Sequence, residues 1–332
     1  METMVEQKTF ATFDGNGHEP ALSAQCINLL EKQKVSWPDL SLGYAALEQV
    51  RIKELQCPGY SVRLHHNPAR MKSTTAPVDQ KSINKRPCFL CLENLPGEQQ
   101  GILYRRDFIV LCNPYPITPR HYTISHIKHI PQSFNGFIPA FLTMAKDFHG
   151  DFNVFYNGPE SGASAPDHLH FQAAPAGVLP VEQDIQDNVK RIFVKCADST
   201  YLSKVKDVGR GIIIIEGKDY DAVVAALSNV ISAMKSILSS PGEPRMNLLC
   251  SYNRNTWQAA IFPRRKHRPA VYFLPGNERI LISPGLVEMG GIVVTPMEKD
   301  FSIVDHELVQ EIYKEVSVDD ETIEKVLEAA YL

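Results

Sequence analysis

The stretch that most constrains the fold is Asp167-His-Leu-His-Phe-Gln172, in which apolar and polar residues alternate. A period of two is typical of a β-strand with one buried face, and it would place His168, His170 and Gln172 on the same face. Nitrogen-bearing side chains on one sheet face are costly to bury without partners, so they either form a site or face solvent. The hexapeptide alone leaves a solvated polar face open as an alternative.

Charge and hydropathy exclude several classes of protein. The 332 residues include 34 Lys and Arg against 38 Asp and Glu, a net charge of −4, so no global basic field is present to hold nucleic acid. No apolar run reaches the length of a membrane span, and residues 1–16 lack the apolar core of a signal peptide. We therefore expect neither a nucleic-acid partner nor a membrane partner.

The cysteines indicate a reducing, cytoplasmic setting. There are seven, an odd number, and only Cys88 and Cys91 are closely spaced, which argues against a disulfide framework. A Cys-x-x-Cys pair in such a setting either binds metal or does redox chemistry. The turn-rich surroundings, Pro87 and Pro96-Gly97, favour a metal site, for which zinc is the usual ion and two further ligands are required.

Hydrophobic periodicity predicts an α+β fold built from two similar halves, each a mostly antiparallel sheet packed with a long helix. The organisation we predict is an N-terminal arm and helix at 1–56, a first half at 57–180 and a second half at 181–332. Predicted helices are a short one at 21–31 in an otherwise loose arm, and others from 36 to 55, at 135–149, 220–238 and 305–327. Predicted strands are 60–66, 104–111, 121–129, 151–157, 167–172, 212–215, 246–252, 256–262, 270–274 and 291–295.

Two cation-rich segments are candidates for binding phosphate groups. Residues 67–86 form a predicted long loop, and Arg63, Arg70 and Lys72 lie close enough to the neighbouring strand to face a site. A second run begins at Arg264 and continues to position 268. For both segments a solvated basic loop is an equally good interpretation.

Three features together resemble the histidine-triad superfamily, and specifically its transferase branch of galactose-1-phosphate uridylyltransferases, diadenosine tetraphosphate phosphorylases and GDP-L-galactose phosphorylases. They are the histidine-rich strand ending at His129, the pair Asn157-Gly158, and His168-Leu-His-Phe-Gln172 with Gln where the hydrolase branch has His. The resemblance covers 88–175 and extends more weakly to 257–264 and 283–296. Ala165-Pro166-Asp167 departs from the Asn-Pro pair of the uridylyltransferases, so the sugar and the nucleoside stay undetermined.

The resemblance implies roles for individual residues. Cys88, Cys91, His129 and His168 would bind a structural zinc ion, with His126 as the rival to His129, and a second metal site is expected to be absent. His170 would attack the α-phosphorus, and Gln172 would donate to a phosphate oxygen. Further predicted contacts are Asn157, Gly158 and Ser164 to phosphates, Asn113 to ribose, and Arg63, Arg70, Lys72 and Arg264 to substrate.

The function expected from this resemblance is a nucleotidyltransferase or phosphorylase that forms a covalent nucleotidyl-His170 intermediate. Its substrates would be a dinucleoside polyphosphate or nucleotide sugar, with phosphate or a sugar 1-phosphate as acceptor. Gln172 favours transfer over hydrolysis, because an amide does not act as an acid or base toward water. Two alternatives stay open: a hydrolase with the same fold, and a non-catalytic, zinc-stapled nucleotide-binding protein.

Overall fold

A computed structural model describes residues 2–197 and 199–330, apart from the side chains at positions 2, 72, 80 and 197. The described residues form fourteen strands: β1 (Thr9–Phe13), β2 (Arg51–Cys57), β3 (Tyr60–His66), β4 (Gly101–Tyr104), β5 (Phe108–Cys112), β6 (Tyr122–His126), β7 (Phe152–Asn157), β8 (His170–Pro175), β9 (Arg191–Ala197), β10 (Thr200–Val205), β11 (Ile213–Gly217), β12 (Met246–Asn253), β13 (Thr256–Pro263) and β14 (Ile292–Thr295).

The helices of the same described residues number twelve, alongside short 3₁₀ turns. They are α1 (Glu2–Lys8), α2 (Leu22–Ser36), α3 (Pro38–Glu48), α4 (Met71–Thr74), α5 (Gln80–Ile83), α6 (Ile138–Asp147), α7 (Val181–Gln186), α8 (Tyr220–Ile237), α9 (Leu286–Met289), α10 (Glu298–Ile303), α11 (His306–Val316) and α12 (Asp320–Ala329). None of them is long and apolar enough to cross a lipid bilayer.

Eleven strands form one continuous sheet in the order β1-β4-β5-β6-β8-β7-β12-β13-β11-β10-β9. Within it, β4 to β8 with α6 make up what we call the first half (101–175), and β9 to β13 with α8 the second half (191–263). Each half runs as three strands, a helix and two strands, with the same strand order from the centre outward. Antiparallel pairing of β7 with β12 joins them. The predicted α+β fold with two similar halves is confirmed, and their sheets are continuous.

The long helices of both halves pack on the same face of the sheet. Val223, Leu227 and Val230 follow helical spacing along α8, and all three are fully buried in the core that also holds Phe141 of α6. Asp219 begins α8 by accepting a hydrogen bond from the Ala222 N–H. Because both helices cover this face, the opposite face of β6, β7 and β8 is left for a site.

The opposite face differs between the two halves. In the second half it carries apolar side chains such as Ile214, Ala260 and Phe262, which pack under α11 and under a separate three-stranded sheet of order β14-β3-β2. In the first half the same face carries His170 and Gln172, while Leu169 and Phe171 point into the main core. The predicted alternation along this strand is therefore confirmed, although β8 begins at His170 and His168 lies just before it.

The N-terminal region differs from the prediction. The supposed loose arm is ordered: β1 pairs in parallel with β4 at the sheet edge, and α2 is fifteen residues long. The helix predicted to reach 55 ends at Glu48, and Arg51–Cys57 is strand β2. The single strand predicted at 104–111 is a hairpin of β4 and β5, turned by Arg105 and Arg106 in left-handed conformations without a glycine.

The second half and C-terminal region also contain differences. Strands β9 and β10 were not predicted, and the strand predicted at 270–274 is the 3₁₀ helix Ala270–Phe273. The helix predicted at 305–327 is divided into α11 and α12, because Asp319 caps a new helix by accepting from the Thr322 N–H. The long loop at 67–86 contains the short helices α4 and α5.

Candidate active site and metal centre

Four side chains predicted to bind metal converge beside the start of β8. The ligand atoms of Cys88, Cys91, His129 and His168 all lie within 4.8 Å of one another. The Cys88 Sγ is 3.3 Å from the His168 Nδ1, and the Cys91 Sγ is 3.2 Å from the His129 Nδ1. Two thiols and two imidazoles at this spacing could hold a metal ion.

The orientation of His168 suits a metal ligand. Its Nε2 lies 2.7 Å from the carbonyl oxygen of His126, to which it donates, and 3.1 Å from the Ser125 Oγ. The proton is therefore on Nε2, and the Nδ1 lone pair faces the two sulfurs. Burial lowers the pKa of His168, which keeps the ring neutral. His126 points to the other side of the sheet, with its ring 5.1 Å from that of Phe108.

Burial raises the pKa of the Cys88 thiol, and burial together with the charge of Cys88 raises that of Cys91 to about 12. A bound cation would reverse this preference, since metals bind the thiolate form. The Cys88–Cys91 loop is fixed to the strand by a 2.9 Å ion pair between Arg86 and Asp167, next to His168. Loop and strand are thus linked both at the four-residue cluster and beside it.

His170 has the geometry of a nucleophile. It is 3% exposed, and its Nδ1 lies 2.8 Å from the carbonyl oxygen of His168. A carbonyl only accepts hydrogen bonds, so Nδ1 carries the proton and Nε2 has a free lone pair. Burial lowers the pKa of His170 to about 4, which makes the neutral ring the dominant form at neutral pH.

The backbone of His170 is held by Gln132, a residue that the sequence analysis did not identify. The Gln132 side chain accepts from the His170 N–H at 2.8 Å and donates to the His170 carbonyl at 3.1 Å and to the Asn157 carbonyl at 2.9 Å. It thereby fixes the end of β7 to the start of β8. Gln132 lies in an irregular segment with no motif, so its role could be found only from tertiary contacts.

The predicted phosphate contacts are Asn157 at the end of β7 and Gly158 and Ser164 in the loop that follows. The first two already make hydrogen bonds within the protein. The Asn157 Oδ1 accepts from the Asn247 Nδ2 and from the Leu286 N–H, both at 2.7 Å. The Gly158 N–H donates to the Met246 carbonyl at 3.1 Å, so the predicted donation from this group to phosphate does not fit the structure. Ser164 is half-buried in the same loop.

The same loop is pinned by a segment from the other end of the chain. Gly162 has a φ of +95°, and a Cβ there would lie 2.5 Å from the Cα of Gly285. Glycine is therefore required both for the left-handed backbone and for the close approach. Gly285 comes directly before the Leu286 N–H that binds Asn157, so residues after the second half cover the site of the first.

Of the predicted cations, Arg70 acts electrostatically on His121, the neighbour of Gln172. It donates through Nη1 to the Tyr115 carbonyl at 2.6 Å. Arg63 donates instead to the Val178 carbonyl. The side chain of Lys72 lies outside the described residues.

Arg264 differs from its neighbours in the basic run, since Arg265 and Lys266 are exposed and Arg264 is buried. It is 1% exposed and donates through Nη1 to the Asn247 Oδ1 at 2.7 Å and to the Pro284 carbonyl at 2.9 Å. Burial lowers its pKa to about 9. All three guanidinium nitrogens of Arg264 donate to protein oxygens, so this residue braces Asn247, which in turn holds Asn157, and the predicted substrate contact does not fit the structure.

Asn113 forms a strand-end turn, in which its Oδ1 accepts from the Tyr115 N–H at 2.9 Å. This is the common structural use of asparagine at such a position. The predicted ribose contact through Asn113 stays a prediction.

Two family models match the chain. A domain of unknown function, DUF4922, matches residues 29–175, and the GDPGP1-like C-terminal domain matches residues 184–330. No curated protein matches the chain at a significant level.

Solved structures of one yeast enzyme have a similar fold. The yeast Ap4A phosphorylase Apa2 in complex with AMP is 17% identical, covers 90% of this chain and 97% of its own, and superposes with a TM-score of 0.59. The same enzyme in complex with Ap4A is 14% identical, covers 85% and 97% of the two chains, and has a TM-score of 0.52. At these identities the similarity concerns the fold.

Proposed function

We propose that the chain is a member of the transferase branch of the histidine-triad superfamily, and that it is a nucleotidyltransferase or phosphorylase with His170 as its nucleophile. The observation that carries this proposal is the state of the His170 ring. The ring is neutral, its Nδ1–H donates to the carbonyl of His168 just before β8, and its Nε2 lone pair is free. A histidine prepared in this way is suited to attack phosphorus.

The reaction proceeds in two displacements. The His170 Nε2 forms a bond to the α-phosphorus of the nucleotide, and the bond from that phosphorus to the leaving phosphate oxygen breaks with its electron pair. The Nδ1 proton stays in place, where its bond to the His168 carbonyl stabilises the positive charge that the ring acquires. An oxygen of the acceptor phosphate then attacks the same phosphorus, and the P–N bond breaks. No proton has to be transferred in either step.

Gln172 supports transfer over hydrolysis. It lies two residues beyond His170 on the same face of β8, and it can donate a hydrogen bond to a non-bridging phosphate oxygen. It cannot remove a proton from water, so the intermediate would persist until an acceptor with its own negative oxygen arrives.

The substrates we propose are a dinucleoside polyphosphate or a nucleotide sugar as donor, and phosphate or a sugar 1-phosphate as acceptor. The fold is shared with a phosphorylase whose structures contain AMP and Ap4A, which supports a nucleotide donor. Seven free cysteines support a cytoplasmic location.

We further propose that Cys88, Cys91, His129 and His168 bind a structural zinc ion. The residues fit: four donors of the kind zinc prefers lie together, and the His168 Nδ1 is turned toward the sulfurs by the bond from Nε2 to the His126 carbonyl. When bound, zinc would tie the 88–91 loop to the strand that carries His170.

A trapping experiment tests the proposed function. The wild-type protein is incubated with Ap4A, UDP-glucose or a GDP-sugar without acceptor, and its intact mass is measured at neutral pH. We expect one added nucleoside monophosphate per chain, labile to acid and removed by phosphate or a sugar 1-phosphate with formation of the transfer product.

The variants His170→Ala and His306→Ala complete the test. His306 is an exposed histidine at the first position of α11, so its variant should form the adduct normally. His170→Ala should form none while retaining its metal. An adduct on His170→Ala, or turnover of these nucleotides by the wild type without any adduct, would contradict the covalent mechanism.

A further inference from the structure

His121 contacts Gln172, a polar side chain on the same face of β8 as His170. It precedes β6, is 2% exposed, and its Nε2 lies 2.8 Å from the Gln172 Oε1. The proposed mechanism gives His121 no role, and nothing in the spacing of the motif indicates one. A buried imidazole bound to a catalytic amide nevertheless determines which way that amide faces.

The hydrogen bonds of His121 fix its tautomer. The Ile117 N–H lies 3.3 Å from the His121 Nδ1, and a backbone N–H can only donate, so Nδ1 accepts and is unprotonated. A neutral ring must then carry its proton on Nε2. That N–H donates to Gln172, and its partner must be the amide oxygen of Gln172 because the amide nitrogen only donates.

The surroundings of His121 maintain this state. Burial and the charge of Arg70 lower the pKa of His121 to about 4, so it stays a neutral ring across the neutral range. The Phe155 ring lies 6.0 Å away on one side, and the Tyr44 hydroxyl accepts from the His121 N–H at 3.2 Å. Ring position and tautomer are therefore both fixed before any substrate arrives.

We propose that His121 is a positioning residue that holds the Gln172 amide with its oxygen turned inward and its NH₂ turned toward the phosphoryl group on His170. This inference rests on the proposed function. In the reverse orientation the amide oxygen would face the negative phosphate oxygens, and it would also accept a hydrogen bond from water. His121 would thus favour transfer to a phosphate acceptor over loss of the nucleotide to water.

The activity test compares His121→Phe, Gln172→Ala and the double variant. Phenylalanine fills a similar volume but cannot donate. With a nucleotide donor and inorganic phosphate, transfer yields a nucleoside diphosphate and hydrolysis yields a monophosphate. We expect His121→Phe to lower kcat for transfer by roughly 10- to 100-fold with little change in KM, and to raise the share of hydrolysis.

The double variant separates positioning from a general structural effect. If His121 acts through Gln172, His121→Phe should cause no further loss in the Gln172→Ala background. The matched control is His65→Phe, another buried histidine, on β3, which should retain the product ratio of the wild type. Additive losses, or an unchanged product ratio in His121→Phe, would overturn the inference while leaving the proposed function intact.

A spectroscopic measurement tests the same idea without turnover. In protein with ¹⁵N-labelled histidine, the long-range ¹H–¹⁵N spectrum distinguishes the two neutral tautomers, and the signal absent from His121→Phe identifies His121. We expect the Nε2–H tautomer at pH 7. An Nδ1–H tautomer or a protonated ring would overturn the inference even if the nucleotides tested turn out not to be substrates.

Discussion

The two halves of the large sheet share a topology and differ in chemistry. In both, three strands, a long helix and two strands follow in the same order, and the helices cover the same face. The other face is polar around His170 in the first half and apolar around Ala260 in the second. The fold alone therefore does not determine the site; what each half places on that one face does.

The connection between the last two strands of each half shows where the difference arises. In the second half, β12 and β13 are joined by a tight turn at Arg254 and Asn255. In the first half, residues 158–169 separate β7 from β8 and include the loop that Gly285 pins. A tight turn leaves no room for a ligand next to the strands, whereas the longer loop and the segment that covers it can enclose one.

The largest effect should come from removing a polar side chain from β8, and the matched control removes one from the corresponding strand β13. His170→Ala is expected to lower nucleotidyl transfer by roughly 10⁴-fold or more, as for the loss of other nucleophiles. The transfer rate of Gln258→Ala, on β13, should stay within about twofold of the wild type, because Gln258 contacts Glu216 and Gln186 and neither has a proposed role in the reaction. Initial rates under saturating donor would measure both; a large loss in Gln258→Ala would show that the second half takes part in the chemistry.

Loss of the four-residue cluster should affect the two halves unequally. Cys91→Ser should reduce bound zinc to well below one per chain and lower the melting temperature by roughly 5 °C or more. Its matched control is Cys196→Ser, an exposed cysteine on β9 of the second half. Elemental analysis and hydrogen exchange would measure the effect, with lost protection expected around 86–130. Equal loss of protection in both halves would contradict a metal site that stabilises only the first half.

Acid should destabilise the first half through its histidines. Burial lowers the pKa of three histidines in 101–175, which are His121, His168 and His170, whereas 191–263 contains no histidine. The folded pKa of His121 is about 4, below the unfolded value of about 6.5, so the unfolded chain binds more protons between these values and stability falls as the pH drops from 7 toward 4. At pH 5 this single residue accounts for roughly 2 kcal/mol.

Urea unfolding at pH 7 and pH 5 would measure that loss. His121→Phe should show a smaller difference in unfolding free energy between the two pH values than the wild type does, because the group that titrates differently in the folded and unfolded chain is removed. An identical pH dependence in the variant would mean that the pKa of His121 is the same in the folded and the unfolded chain.

The smallest effect should come from the tight turn of the second half. Arg254 has a φ of 48°, a left-handed conformation that asparagine tolerates better than arginine. Arg254→Asn is expected to stabilise the protein by about 0.5–1 kcal/mol without changing turnover. Calorimetry together with the transfer assay would measure both quantities. A change in activity would contradict the assignment of this turn as purely structural.

Sequence patterns predicted the elements whose burial is regular. Helix α8 and the alternation around His170 could be predicted because their apolar residues repeat at helical and strand spacing and face a fully buried core. Strand β9 could not be, since it lies at the sheet edge with Phe193 59% exposed and lacks a clean alternation. The turn at Arg105 and Arg106 likewise carries no glycine or asparagine signal.

The site shows the same limit. The four side chains that cluster at the start of β8, and the buried His170 beside them, could be singled out because a family motif holds them at characteristic spacings; their roles stay predictions. Gln132, His121 and Asn247 could not be, because each acts on a residue 38 to 90 positions away and the pairing exists only in the folded chain. Arg264 could not be placed for a related reason. A basic run usually faces solvent, yet this side chain is buried and donates to the Pro284 carbonyl. The division of the chain at 180/181 stays a prediction.

The antiparallel pairing of 154–157 with 247–250 also determines how the protein would behave if its gene were divided. Separate pieces ending and beginning near position 185 would each present an open strand edge, and the two edges match each other in length and register. Co-expressed pieces should therefore reassemble, and each alone should be prone to self-pairing. Enzymatic turnover would then be recovered only when the two pieces associate, as in a split reporter.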